Sequence, residues 1–211
     1  MPEIEYFYAA HSAFAYLGSA RLMQIAQAAN RSIAHKPVDL RRVVAEAGAG
    51  DFRNRSRAHY QYYFGREIER WSEHRNAPVQ GRTPTHHAND ITLPNCTLIA
   101  AQLQGHNIDR LAHAMLERHW RDDVDLADAE TLAEIARSVG LEPEPLLEGA
   151  GSDEARAVYL ANTEEAISRS VFGSPTYFVD GDMFYGQDHL EMVERALSKP
   201  YAGTWPRENR A

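Results

Sequence analysis

Cysteine is almost missing from these 211 residues, with Cys96 standing alone. One cysteine excludes an intramolecular disulfide, a Cys-x-x-Cys pair and an all-cysteine metal site, and it reads as a packed small hydrophobe rather than a reactive thiol. Long apolar runs are missing too. No stretch approaches the ~20 apolar residues of a membrane span, and Met1-Pro2-Glu3-Ile4-Glu5 lacks a basic segment leading into an apolar core. A soluble, cytoplasmic chain is expected. Positive charge is scarce: 22 Lys and Arg against 30 Asp and Glu give a formal net charge of −8. That balance argues against nucleic acid or an anionic membrane as partner, while a small anionic ligand in a local pocket stays open. Repeats, low-complexity tracts and exposed linkers are also lacking.

The composition present is that of a folded domain, 44% hydrophobic and 25% charged. The length suits one large domain or one domain with an insertion, and buries roughly 70% of its unfolded surface. Residues 4–8 form an apolar run that predicts a buried strand, after which Ser12 can cap a helix reaching about Asn30. Ser32–Leu40 predicts a second strand, parallel to the first through a right-handed crossover. From Arg41 to about Ser170 no strand is predicted; 55–75, 95–121, 128–139 and 153–169 have helical period or composition, with Pro78, Pro84, Pro94, Gly140 and Pro143-Glu144-Pro145 as punctuation. Then come a strand entered through Pro175, an Asp180-Gly181 hairpin turn, a further strand, and a last helix from Asp188 to about Ser198.

Strand, helix and strand at one end, with a proline-led hairpin and helix at the other, make an α/β thioredoxin-like fold. The expected division is 1–45 with 170–211 as the thioredoxin-like domain and 46–169 as an all-helical insertion, with the cleft between them as ligand site. Where a redox thioredoxin carries Cys-x-x-Cys, this chain reads Ser12-Ala13-Phe14-Ala15. It is therefore expected to hold a thiol without oxidising one.

Three places could do so. Ser12 stands where a helix leaves N–H groups unpaired, and its hydroxyl can favour an external thiolate over the thiol; alternatively it only caps the helix. A cis bond before Pro175 would turn the Ser174 N–H and C=O toward that helix start, open to a peptide added as a short strand, whereas an ordinary trans proline would not. Gly186-Gln187-Asp188 offers N–H groups for a carboxylate and an acid for an ammonium, as an amino-acid head requires, or Asp188 caps a helix. His11 beside Ser12 reads as a loop imidazole. His86-His87 make a poor metal site, so no metal is expected. Glu67, Glu69, Arg70 and Trp71 read as an ion-paired helix surface with one buried ring.

These segments resemble the 2-hydroxychromene-2-carboxylate isomerase family, relatives of the kappa-class glutathione transferases and the DsbA-type thioredoxin folds, over about residues 4–198. The likeness is carried by Tyr6-Phe7, Ser12 through Leu17, Pro37 through Leu40, Asn54-Arg55, Arg70-Trp71, and Val171 through Leu190. It implies a glutathione-dependent cytoplasmic homodimer of aromatic-compound catabolism. Glutathione would be held by Ser12, Ser174, Pro175, Gly186, Gln187, Asp188 and His189, with Ser12 catalytic and Asn54 and Arg55 binding an unsaturated, aromatic-derived acid. Its thiolate adds to the conjugated substrate, permits rotation and departs. A kappa-like transferase that keeps the adduct, and a non-catalytic peptide- or glutathione-binding module, are the alternatives. The chain differs from the family at Ala13 in place of proline, and at Val44, Tyr60 and His189, where basic residues are usual.

Overall fold

The computed structural model describes residues 3–47, 56–203 and 205–206. Asn54 and Arg55 lie outside the described residues. Four strands, β1 (Glu3–Tyr8), β2 (Ser32–Pro37), β3 (Thr176–Val179) and β4 (Asp182–Tyr185), form a mixed sheet in the order β2-β1-β3-β4. β1 and β2 run parallel with Tyr6 opposite His35, while β3 runs antiparallel to β1 with Tyr177 opposite Tyr6. Helix α1 (Ala13–Ala28) makes the crossover. Asp180 and Gly181, at φ of 49° and 90°, make the β3–β4 turn, both in the left-handed region that a tight hairpin demands.

Among the described residues, every element between β2 and β3 is helical. These are α2 (Leu40–Glu46), α3 (Arg57–Gln61), α4 (Glu67–Arg75), α5 (Thr92–Leu103), α6 (Asp109–Asp122), α7 (Ala129–Ser138), α8 (Pro143–Ala150) and α9 (Asp153–Ser168). Tyr62–Arg66 is a π-helical turn joining α3 to α4, and α10 (Leu190–Ser198) follows a 3-10 turn at Gln187–His189. Strand periodicity of two sorts the side chains between the two sheet faces. Ile4, Tyr6, Tyr8 and Tyr177 join one core with Leu17 and Ile25 of α1, Leu98 of α5, Met115 of α6 and Val193 of α10. Phe7 and Phe178 join a second with Val38, Val43 of α2 and Ala166 of α9. With helices on both faces, the strand ends are where a ligand can approach backbone.

Four expectations need correction. β2 stops at Pro37 because Asp39 caps α2, its side chain accepting from the Arg41 and Arg42 N–H groups at 3.1 and 3.2 Å. The segment 95–121 is two helices: Gly105 takes φ 83°, and bonds from Gly105 to Gln102 and from His106 to Ala101 close the end of α5. Pro143, read only as punctuation, opens α8, a helix outside the predicted segments, since a first-turn proline has no helical partner to lose. Asp188 lies within the 3-10 turn, and the regular helix begins at Leu190.

Candidate active site

β1 delivers the chain to the mouth of α1. There the Ser12 N–H closes a turn onto the Ala9 carbonyl at 3.0 Å, and the Ser12 carbonyl accepts from Tyr16 N–H at 3.0 Å, starting the helix. The Ser12 hydroxyl caps the helix, as one of its two sequence readings has it, and also reaches across the groove. It accepts from Ala15 N–H and donates to the Ser174 carbonyl, both at 3.3 Å. The second distance is long for O–H···O. Ala13 and Phe14 N–H groups donate to nothing among the described residues, and no acidic residue in the first turn offsets the helix's positive end.

The Ser174-Pro175 bond is cis. Ser174 faces Ser12 through its carbonyl, and its hydroxyl accepts from Ala9 N–H at 3.3 Å. Both serines are buried, Ser12 at 7% and Ser174 at 8% exposure. Behind them Asn95, fully buried, ties three segments together: Oδ1 accepts from Ala10 N–H at 3.0 Å while Nδ2 donates to the Val38 carbonyl and the Tyr159 hydroxyl, each at 3.3 Å. Pro175 C=O accepts from Gly186 N–H at 2.9 Å, joining the cis-proline bend to the turn before α10. Gly186, at φ 93°, lets Asp188 fold back: a Cβ there would stand 2.3 Å from Asp188 Oδ1.

A groove of about 190 Å³ runs along these features, lined by Ser174, Gly186, Gln187, Asp188 and His189 on one side. Phe14, Glu67, Trp71 and Tyr63 line it as well. Ser174 and the Gly186–His189 run thus share one groove, with Pro175 behind it and Ser12 bonded to Ser174 at its edge. The ion-paired helix surface read for Glu67, Glu69 and Arg70 is present, while Trp71 is half-buried, not fully buried. The ion pairs are Arg66–Glu69 and Arg70–Glu67, at 3.0 and 2.6 Å, and Glu67 and Trp71 also line the groove. Hydrogen bonds from Tyr62 and then Arg70 hold the Glu67 carboxyl below its ordinary range. Tyr63 reaches the groove from the π-helical turn and lies 5.0 Å from the Phe14 ring, a helix irregularity often found at functional sites.

His11 lies in the turn between β1 and α1, a loop imidazole as read from the sequence, and it is buried. It packs 4.7 Å from the His87 ring, and His87 Nδ1 lies 3.1 Å from His119 Nε2. Because His119 Nδ1 meets the Val124 carbonyl at 3.0 Å, that nitrogen carries the proton, and His87 Nδ1–H donates to His119. Burial drives His11 well below its ordinary value and His87 to about 4, with neighbouring imidazoles adding to the effect. The cluster is neutral near pH 7 and lends no positive charge to a thiolate. Val44 is buried in the α2 face, not turned outward as a basic residue would be. His189 Nδ1 stands 3.5 Å from Asp188 Oδ1, outside hydrogen-bond geometry.

A helix mouth facing a cis-proline bend, with a helical segment between the second and third strands, defines a thioredoxin-type binding site without a dithiol. The chain belongs to the DSBA-like thioredoxin domain family, which matches residues 3–198. It is 27% identical over 194 residues to a 2-hydroxychromene-2-carboxylate isomerase of Sphingobium xenophagum, covering 92% of this chain and 97% of that one. A solved 2-hydroxychromene-2-carboxylate isomerase superposes with a TM-score of 0.74 at 24% identity, covering 92% and 93% of the two chains. The cytosolic disulfide reductase DsbM of Pseudomonas aeruginosa, solved with GSH, gives 0.62 at 15% identity over 94% and 93%. The family resemblance read from the sequence is the one these comparisons return.

Proposed function

We propose that this protein is a glutathione-dependent cis/trans isomerase of an unsaturated, aromatic-derived carboxylic acid resembling 2-hydroxychromene-2-carboxylate. The observation that carries the reading is the pairing of the Ser12 hydroxyl with the Ser174 carbonyl across the helix mouth. The donor set suits a γ-glutamyl-cysteinyl peptide. The Ser174 main chain matches a cysteinyl main chain; the Gln187–Asp188 N–H groups match a carboxylate; and the Asp188 acid, with Glu67 nearby, matches an ammonium. Gly186 supports the fit, since its φ of 93° disfavours any side chain and leaves the space beside the Asp188 carboxylate clear.

When bound, glutathione supplies a thiolate that adds to the conjugated carbonyl compound and later leaves. The chain's part is to hold and ionise that sulfur. With the Ser174 carbonyl engaged by a peptide N–H, the Ser12 hydroxyl would be free to donate to the sulfur, alongside the unpaired N–H groups of α1. A hydrogen bond to the charged form lowers the thiol pKa. Phe14 and Tyr63 supply apolar ring surface for an aromatic substrate, and Asn54 and Arg55 are the proposed partners of its carboxylate, Arg55 by a bidentate pair.

Incubation with glutathione and 2-hydroxychromene-2-carboxylate tests the reading by product mass. An unchanged mass with altered chromatographic retention, dependent on glutathione, is expected. A product heavier by the tripeptide would establish a transferase instead, and no conversion with bound glutathione would establish a binding module.

A further inference from the structure

The groove's two walls come from distant parts of the chain, and one side chain reaches both. Arg75, in the last turn of α4, has a side chain only 10% exposed. Its Nε donates to Gln187 Oε1 and a terminal nitrogen to the Gln187 carbonyl, both at 3.2 Å. The other terminal nitrogen meets Glu191 Oε1 at 2.8 Å. The guanidinium also lies 5.2 Å from the centre of the Trp71 ring. Trp71, from α4, and Gln187, from the turn before α10, both line the groove.

Peptide planarity gives these contacts a consequence. The Gln187 carbonyl and the Asp188 N–H belong to one trans peptide plane and point in opposite directions, so anchoring the carbonyl on Arg75 fixes the N–H on the side away from it. Ordering the turn beforehand spares that entropy when a ligand arrives. Only a planar fork can serve the side chain, the main chain and Glu191 together while stacking on an indole; an ammonium cannot.

We infer that Arg75 is a positioning residue for glutathione, setting the spacing between the Trp71 wall and the Gln187–Asp188 turn without touching the reacting sulfur. This rests on the glutathione reading above. The test is calorimetric titration of glutathione into the wild-type protein, Arg75→Met and Arg75→Lys, alongside turnover and the pKa of the bound thiol. In Arg75→Met, Kd and KM for glutathione should rise about tenfold, the equivalent of one charge-assisted hydrogen bond, with Arg75→Lys recovering only part. At saturating glutathione, kcat and the thiol pKa, which depend on Ser12, should change less than about twofold. Should Arg75→Met not fold, Arg75→Lys carries the same comparison. Unchanged affinity in folded variants overturns this inference and leaves the glutathione reading standing. An equal fall in kcat with a shifted thiol pKa also overturns it, while absence of binding by the wild-type protein removes both.

Discussion

A serine hydroxyl that caps a helix and also faces a carbonyl across a groove has two separable contributions. In Ser12→Ala the lost cap costs about 1 kcal/mol, which lowers Tm by about 2–4 °C in a protein of this size. The lost donor to a charged sulfur contributes more, and turnover should fall about tenfold or further at saturating glutathione. Thermal denaturation and steady-state rates measured on one preparation separate the two; a Tm loss without a rate loss would confine Ser12 to capping. The histidines make a different prediction. His87 titrates near 4 when folded, against an ordinary value of 6.5, so between these values the unfolded chain binds more protons. Stability is therefore intact above pH 6.5 and declines as pH falls toward 4. The urea midpoint should drop across that window and drop less in His87→Gln. Ser12, Ser174 and the Gly186–His189 run were legible in the sequence because each sits at a punctuation point that dictates backbone geometry. Arg75, Asn95 and the histidine cluster were not, since a polar residue on a helix or loop announces nothing until its distant partners are known.

Elements hold the site through close approaches. Helix α1 passes the 3-10 turn at Gly18, where an added Cβ would stand 2.6 Å from Gln187 Cβ. Neither atom is the end of a flexible chain, so Gly18→Ala should push α1 and the Gln187 turn apart and weaken glutathione binding at least tenfold, with a loss of about 1–3 kcal/mol in stability from overpacking. Gly181→Ala is the contrasting case. Its φ of 90° disfavours a side chain but nothing lies within 4 Å, so it should cost about 1–2 kcal/mol and leave glutathione affinity unchanged by calorimetry. The strands and hairpin were readable because period two and Asp-Gly are local signals. The α5–α6 break carried its signal in Gly105 but was masked by continuous helical composition, and α8 was hidden because proline marks a helix start as readily as a loop.

Across the whole molecule, the sheet is sealed on both faces, and the groove sits where β1 ends and β3 begins, between α4 and the turn before α10. That arrangement presents main-chain groups and a helix mouth to a peptide while offering no dithiol, since Cys96 is buried and burial raises its thiol pKa. On the proposed reading such a site would ionise a borrowed sulfur, and with a single cysteine it has no dithiol to cycle. The most direct measurement is the ultraviolet thiolate absorbance of glutathione bound to the wild-type protein, titrated against pH beside free glutathione and Ser12→Ala. The account predicts a bound thiol that ionises at least one unit lower than the free one, with much of that shift lost in the variant. A bound thiol that titrates like the free tripeptide, or no binding at millimolar glutathione, would contradict it.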